Sequence, residues 1–188
     1  MWKNTADAYG LVSILLHWLI AAVVTGMFAL GLWMVGLNYY DAWYHRAPEL
    51  HKGVGVSLLG MMLLRLAWRI GNQQPRLPGS PLQQRLARAM HRALYSLLFA
   101  VMLSGYLVST ADGRPVDVFG FMQLPATLSG IDRQEDIAGL FHQVLAMVMI
   151  GLVGLHAMAA LKHHLIDRDR TLLRMLTTRP AVNTQRKS

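Results

Sequence analysis

Long runs of Leu, Val, Met, Ala and Gly alternate with short polar stretches four times along the chain. The runs fall at about 11–37, 50–70, 89–109 and 137–161. Each approaches or exceeds the roughly 20 apolar residues that a helix needs to cross a ~30 Å hydrocarbon core. The first is long enough to span with some tilt. Between the runs lie loops at about Asn38–Glu49, at proline-rich Gly71–Pro81, and at Thr110–Glu135, where Asp112-Gly113-Arg114-Pro115 is a turn signal. The pattern predicts an all-α, integral-membrane four-helix transmembrane bundle. It forms one domain over 1–176, followed by a flexible basic tail at 177–188. Before the third span, Arg85, Arg88 and His91 recur at i, i+3 and i+6. That spacing predicts a basic amphipathic turn or two on the membrane surface. The first run is too long for a signal-peptide core and only Lys3 precedes it, so it reads as a retained helix. Trp33, Tyr39, Tyr40, Trp43 and Tyr44 at its far end suit an interfacial aromatic belt.

Charge gives the bundle a direction. The lead, the second loop and the tail, with the span ends beside them, carry Lys3, Arg65, Arg69, Arg76, Arg85, Arg88, Arg92, Lys162, Arg168, Arg170, Arg174, Arg179, Arg186 and Lys187. The first and third loops carry Arg46, Lys52, Arg114 and Arg133 against Asp41, Glu49, Asp112, Asp117, Asp132, Glu135 and Asp136. The positive-inside rule therefore predicts both termini on the cytoplasmic side. The net charge of +8 would suggest nucleic acid in a soluble protein. Here it is spent on topology, and no nucleic-acid partner is expected. The chain has no cysteine. That excludes disulfides, Cys-ligated iron–sulfur or zinc sites and the C-x-x-C-H attachment of a c-type haem. Walker and zincin motifs are also absent, and no G-x-G-x-x-G follows a strand.

The candidate chemistry lies in histidines placed within the spans. His142 and His156 are fourteen residues apart in the fourth run. On a straight helix they stand about 21 Å apart and roughly 40° from one another around the axis. An ionisable group inside a membrane is costly and marks a candidate functional site. Placed by depth under the predicted topology, His17 in the first span matches His156 in the fourth, on the inner side. His51 opens the second span on the outer side and matches His142. Two imidazoles facing each other across a bundle core suit a b-type haem, because neutral imidazole ligates iron and a flat macrocycle slots between helices. Four residues after each comes a small residue, Ala21, Gly55, Ala146 and Ala160, on the ligand's own helix face. His91, His163 and His164 are followed instead by Tyr95, Asp167 and Arg168. Zinc fits less well, since it prefers four ligands in one place.

The residues around these histidines resemble the bacterial cytochrome b561 family. The likeness is carried by Ile14-Leu15-Leu16-His17-Trp18-Leu19, by Leu50-His51-Lys52, by Gly154-Leu155-His156-Ala157, and by Lys162-His163-His164 with Leu172-Leu173-Arg174-Met175. The resemblance implies a multi-pass protein of the bacterial inner membrane, lying among membrane lipid, with two haem b groups. It assigns the ligand roles to His17 and His156 on the inner iron and to His51 and His142 on the outer one. It also implies electron transfer across the membrane, to or from the ubiquinone pool, and an activity of the superoxide:quinone oxidoreductase type as an expectation. A periplasmic donor, superoxide or a redox protein, would stand on the outer side. The wider superfamily implies an alternative, a membrane-anchoring cytochrome b subunit of a larger dehydrogenase. A histidine-lined metal-ion transporter is the reading of another class, and the lack of intramembrane carboxylates argues against it.

For quinone, the inner-side candidates are His91, Arg92, Lys162, His163 and His164, with His163 the first choice, because a histidine there can exchange a proton. Read singly, each of these cations also suits a haem propionate, a lipid headgroup or simple snorkelling. His45 reads as a surface residue. The outer face is acidic as a whole, which disfavours superoxide, an anion, and leaves room for a basic protein or a quinol.

Overall fold

The computed structural model describes residues 1–178. Four helices dominate it: α1 (Leu11–Met34), α2 (Arg46–Ile70), α3 (Pro81–Ser109) and α4 (Gln134–Leu165). All four are long and apolar enough to cross a membrane. α1 packs on α2, α2 on α3 and α3 on α4, while α4 and α1 meet sparsely. The helices therefore form a ring with one loose seam. Ile20, Leu58, Met62, Leu98 and Met149, contributed by all four helices, form the buried apolar cluster at mid-depth. Most other long apolar side chains point outward, as expected where lipid is the solvent.

The spans differ from the hydropathy reading at their ends. α1 stops at Met34, and α2 begins at Arg46, inside what reads as a polar loop. The larger difference is α3, one continuous helix of 29 residues. The basic turns around Arg85 and Arg88 are its first turns and not a separate surface piece. Ser80 caps the N-terminus, accepting from the Gln83 N–H while the Gln83 side chain accepts from the Ser80 N–H, and Pro81 sits at the first helical position. No Gly or Pro follows before Gly105, so nothing ends the helix between surface and membrane. At about 43 Å it outreaches the hydrocarbon core.

Each face of the bundle is closed by its loops. At the terminal face, Asn4 accepts from the Gly10 N–H and the Ser13 hydroxyl and donates to the Gln73 carbonyl. The lead is thereby tied to the α2–α3 loop. The chain doubles back so tightly at Gly10 that a Cβ there would strike the Trp2 carbonyl. Beyond α4, a short 3₁₀ turn, Leu173–Met175, returns to α1, where the Trp18 indole donates to the Met175 carbonyl at 2.7 Å. At the far face, β1 (Val116–Val118) and β2 (Met122–Leu124) make an antiparallel hairpin with Val116 opposite Leu124. The Phe119 ring lies against Gly53 of α2, where a Cβ would come within 3.0 Å of it. This hairpin lies inside what reads as a plain loop. The expected flexible tail falls almost wholly at 179–188, outside the described residues.

Candidate functional site

Two imidazole pairs stand at two depths, one on each side of the mid-depth cluster. The rings of His17 (α1) and His156 (α4) are 6.3 Å apart, centre to centre, and inclined by 79°. Those of His51 (α2) and His142 (α4) are 6.1 Å apart and also inclined by 79°. The structure thus brings together both pairs expected from depth. Two imidazoles on opposite sides of one metal ion, with metal–nitrogen bonds of about 2.1 Å, have ring centres roughly 6 Å apart. Both separations suit a shared ion.

The surroundings of the far pair set its proton. His142 Nδ1 lies 2.9 Å from the Val101 carbonyl and 3.2 Å from Ser104 Oγ, which itself donates to that carbonyl. A carbonyl only accepts, so Nδ1 carries the hydrogen and Nε2 is left bare, the form in which imidazole binds a metal. His51 Nδ1 is buried without a hydrogen-bond partner among the described residues. Glycines on neighbouring helices make room for both rings. A Cβ at Gly105 would approach His142 Cε1 to 3.0 Å, and one at Gly31 would approach His51 Cε1 to 3.4 Å. The small residues at i+4 were the sequence signal. The tight approaches are to these two glycines across helix interfaces, which no single-helix pattern reveals.

The near pair is differently furnished. Arg65 Nη2 lies 3.2 Å from His17 Nδ1, and Arg65 Nε donates to Tyr95 Oη at 2.8 Å. Guanidinium only donates, so in this arrangement Nδ1 of His17 accepts, and His17 can ligate a metal through Nε2 only once that contact breaks and the hydrogen moves to Nδ1. His91 also joins this level, its ring 5.4 Å from that of His156. The sequence reading put His91 at the membrane surface, and continuous α3 carries it inward instead. Closely packed α3 and α4 place His91 beside His156, whereas His17 faces it across the loose α1–α4 seam. A flat group has room in the seam and little between packed neighbours.

On the terminal side, His163 Nδ1 lies 2.8 Å from Asp169 and 3.0 Å from Asp167, and Lys162 Nζ reaches Asp167 at 2.7 Å. The His163, Asp167 and Asp169 ligand atoms lie within 4.8 Å of one another. The Lys162 and His163 partners leave these carboxylates already engaged, as a clamp on the C-terminus of α4. Burial opposes ionisation of Asp169, but hydrogen bonds from Thr171 and the nearby His163 outweigh it and hold the carboxyl below its ordinary 3.8. His164 Nδ1 is buried without a hydrogen-bond partner among the described residues. His45 stacks edge-on against Tyr44 at 5.0 Å in the far aromatic cluster. A groove of about 420 Å³ between α2 and α3 is lined by Arg69, Arg88, His91, Arg92 and Tyr95 above Leu66 and Phe99.

Comparison with known proteins fits this arrangement. The family model for prokaryotic cytochrome b561 matches residues 8–178. The chain is 53% identical to cytochrome b561 homolog 2 of Escherichia coli (strain K12) over 177 residues, covering 93% of this chain and 94% of that one. It is 30% identical to cytochrome b561 homolog 1 of the same organism over 133 residues, 70% of this chain and 75% of that one. It is 28% identical to the probable superoxide oxidase CybB of Yersinia pestis over 171 residues, 89% of this chain and 95% of that one. Four membrane-crossing helices with facing histidines, and a family match over nearly the whole described chain, lead to one identification: this is a member of the prokaryotic cytochrome b561 family, a multi-pass, haem b-binding electron-transfer protein of the bacterial inner membrane.

Proposed function

We propose that the chain holds two b-type haems, each between two histidines, and passes electrons across the membrane to the ubiquinone pool. His17 and His156 hold the inner one, and His51 and His142 the outer one. The observation that carries this reading is the near-equal separation of the two imidazole pairs, 6.3 and 6.1 Å, at two depths of one bundle. The chemistry of the donors fits the group. His142 presents a bare Nε2, His51 has a buried Nδ1 without a partner among the described residues, and the absence of a Cβ at Gly31 and Gly105 lets the two rings lie close against the neighbouring helices. Bound haem supplies a one-electron redox change.

The chain supplies the rest. α4 contributes one ligand to each level, fixing their spacing, and the mid-depth apolar cluster excludes water between them. We place the polar terminal face in the cytoplasm, on the balance of Lys and Arg. Quinone would meet the inner level from the α2–α3 groove, where Arg88, His91 and Arg92 offer donors to its oxygens and Phe99 an apolar wall. His163, the first candidate from sequence, faces Asp167 and Asp169, so its role would be to relay a proton rather than to touch the ring.

At the outer face, Arg114 pairs with Asp112 at 3.6 Å and Arg133 with Asp136 at 3.7 Å. Arg46 and Lys52 are the remaining cations there. One relative's name, probable superoxide oxidase, makes superoxide a donor to test at this face.

The experiment is a reduced-minus-oxidised visible spectrum of purified protein with a pyridine haemochrome assay, followed by addition of a short-chain ubiquinone. The expected result is two haems per chain and rapid reoxidation by quinone. Colourless, folded protein would end the cytochrome reading. Two haems without reoxidation would favour an anchoring subunit that works only beside a dehydrogenase partner.

A further inference from the structure

We infer that the groove between α2 and α3 at the terminal face binds an anionic phospholipid, with its phosphate among Arg69, Arg88 and Arg92 and an acyl chain laid over Leu66. This goes beyond the quinone reading of the same groove. Quinone carbonyls are neutral, and they leave the charge at the groove's mouth unanswered.

The charge is one-sided over a long stretch. From Leu50 to Ala111 the sequence holds no Asp or Glu, yet it holds Arg65, Arg69, Arg76, Arg85, Arg88 and Arg92 toward the terminal face. α2 and α3 therefore bring cations and no carboxylate to the groove between them. Among the described residues, none of Arg69, Arg88 and Arg92 forms an ion pair. Arg88 and Arg92 stand at i and i+4 on one face of α3, a spacing at which like charges repel. Arg69 meets them from α2. Its guanidinium is held 5.6 Å from the ring centre of Tyr95, and that ring is fixed in turn because Tyr95 Oη accepts from Arg65 Nε at 2.8 Å. Guanidiniums from two helices thus converge without an anion, a cradle suited to the several acceptor oxygens of a phosphate.

The shape selects a lipid over a free anion. Phe99 comes eleven residues after Arg88, about 16 Å further from the terminal face along the helix axis. Charge at the mouth and apolar wall below match a molecule with an anionic head and a hydrocarbon body. At about 43 Å, α3 projects past a ~30 Å hydrocarbon core, which brings Arg85 and Arg88 in its first turns to headgroup level. Basic pockets between helices at that level are the kind that hold lipid phosphates. Arg69, Arg88 and Arg92 are all exposed, so a headgroup can reach them from the surrounding bilayer.

The test is native mass spectrometry of the haem-loaded protein in non-ionic detergent, with phosphatidylglycerol or phosphatidylethanolamine added, alongside the thermal midpoint of the same samples. Phosphatidylglycerol should form a one-to-one complex that survives the detergent, and it should raise the midpoint; phosphatidylethanolamine should do neither. R69Q and R88Q should each weaken the complex roughly tenfold, the loss expected for one charge-assisted contact. R88K should keep most of the binding, and R114Q, at the far face, all of it. Without lipid, R69Q and R88Q should melt no lower than wild type, because each relieves like-charge repulsion; a lower midpoint would assign these arginines to folding and overturn the inference. It is also overturned if phosphatidylethanolamine binds equally, or if inorganic phosphate alone gives the same rise in midpoint. Binding of phosphatidylglycerol to haem-free but not to haem-loaded protein would assign the arginines to the carboxylates of haem, and would overturn it too. Protein that holds no haem yet binds phosphatidylglycerol would overturn the two-haem reading and leave this one standing.

Discussion

At the scale of single residues, the site depends on what lies behind each imidazole. Gly105 and Gly31 make a matched pair of tests. A Cβ at Gly105 would come within 3.0 Å of His142, closer than such contacts tolerate, whereas at Gly31 the approach to His51 is 3.4 Å. Gly105→Ala should therefore cost the outer haem most of its occupancy, while Gly31→Ala should leave it largely bound, as read by haem per chain. Asp169 makes a pH prediction. Its carboxyl is held below 3.8, so its contribution to the C-terminal clamp is present above that value and is lost as pH falls through the lower, folded value. Hydrogen exchange at residues 170–177 should rise on acidification below about pH 4, and Asp169→Asn should show the raised exchange already at neutral pH. The four paired histidines were legible in the sequence, because depth can be counted along a span once the topology is set. Arg65 was not: in a sequence it is one more inner-side cation, and only packing brings it to His17. In the sequence His91 differs from the four paired histidines in having Tyr95, not a small residue, at i+4. That tyrosine proves to be the anchor of Arg65.

Helices were legible as far as hydropathy is a one-dimensional signal. The four apolar runs become four helices because a backbone in lipid must satisfy its own hydrogen bonds. Their ends were less readable, since polar caps and basic first turns look like loop. α3 shows this best. Ser80, Pro81 and Gln83 start the helix in water, and the same helix then enters the membrane and turns His91 toward His156. Ser80→Ala removes the reciprocal cap and should lower stability by about 1 kcal/mol, read as a small drop in thermal midpoint with haem content unchanged. The far hairpin was not readable at all. Its strands are three residues each, too short for alternation to stand out, and they are held by docking on α2.

Over the whole molecule, α4 is the common rail: it gives His142 to one level and His156 to the other, with α1 and α2 each supplying one partner. From the asymmetry of Lys and Arg we propose that both ends of the chain lie in the cytoplasm. A C-terminal fluorescent-protein fusion should glow and a C-terminal alkaline phosphatase fusion should be inactive; the reverse pair of results would invert the molecule. The central claim is two independent bis-histidine haem sites at two depths, and counting haem in paired variants tests it most directly. His17→Ala and His156→Ala should each leave one haem per chain, and the double variant should still hold one. His51→Ala, His142→Ala and their double variant should do the same for the other haem. If one substitution emptied both sites, or if the His17/His156 double variant kept two haems, the pairing proposed here would be wrong.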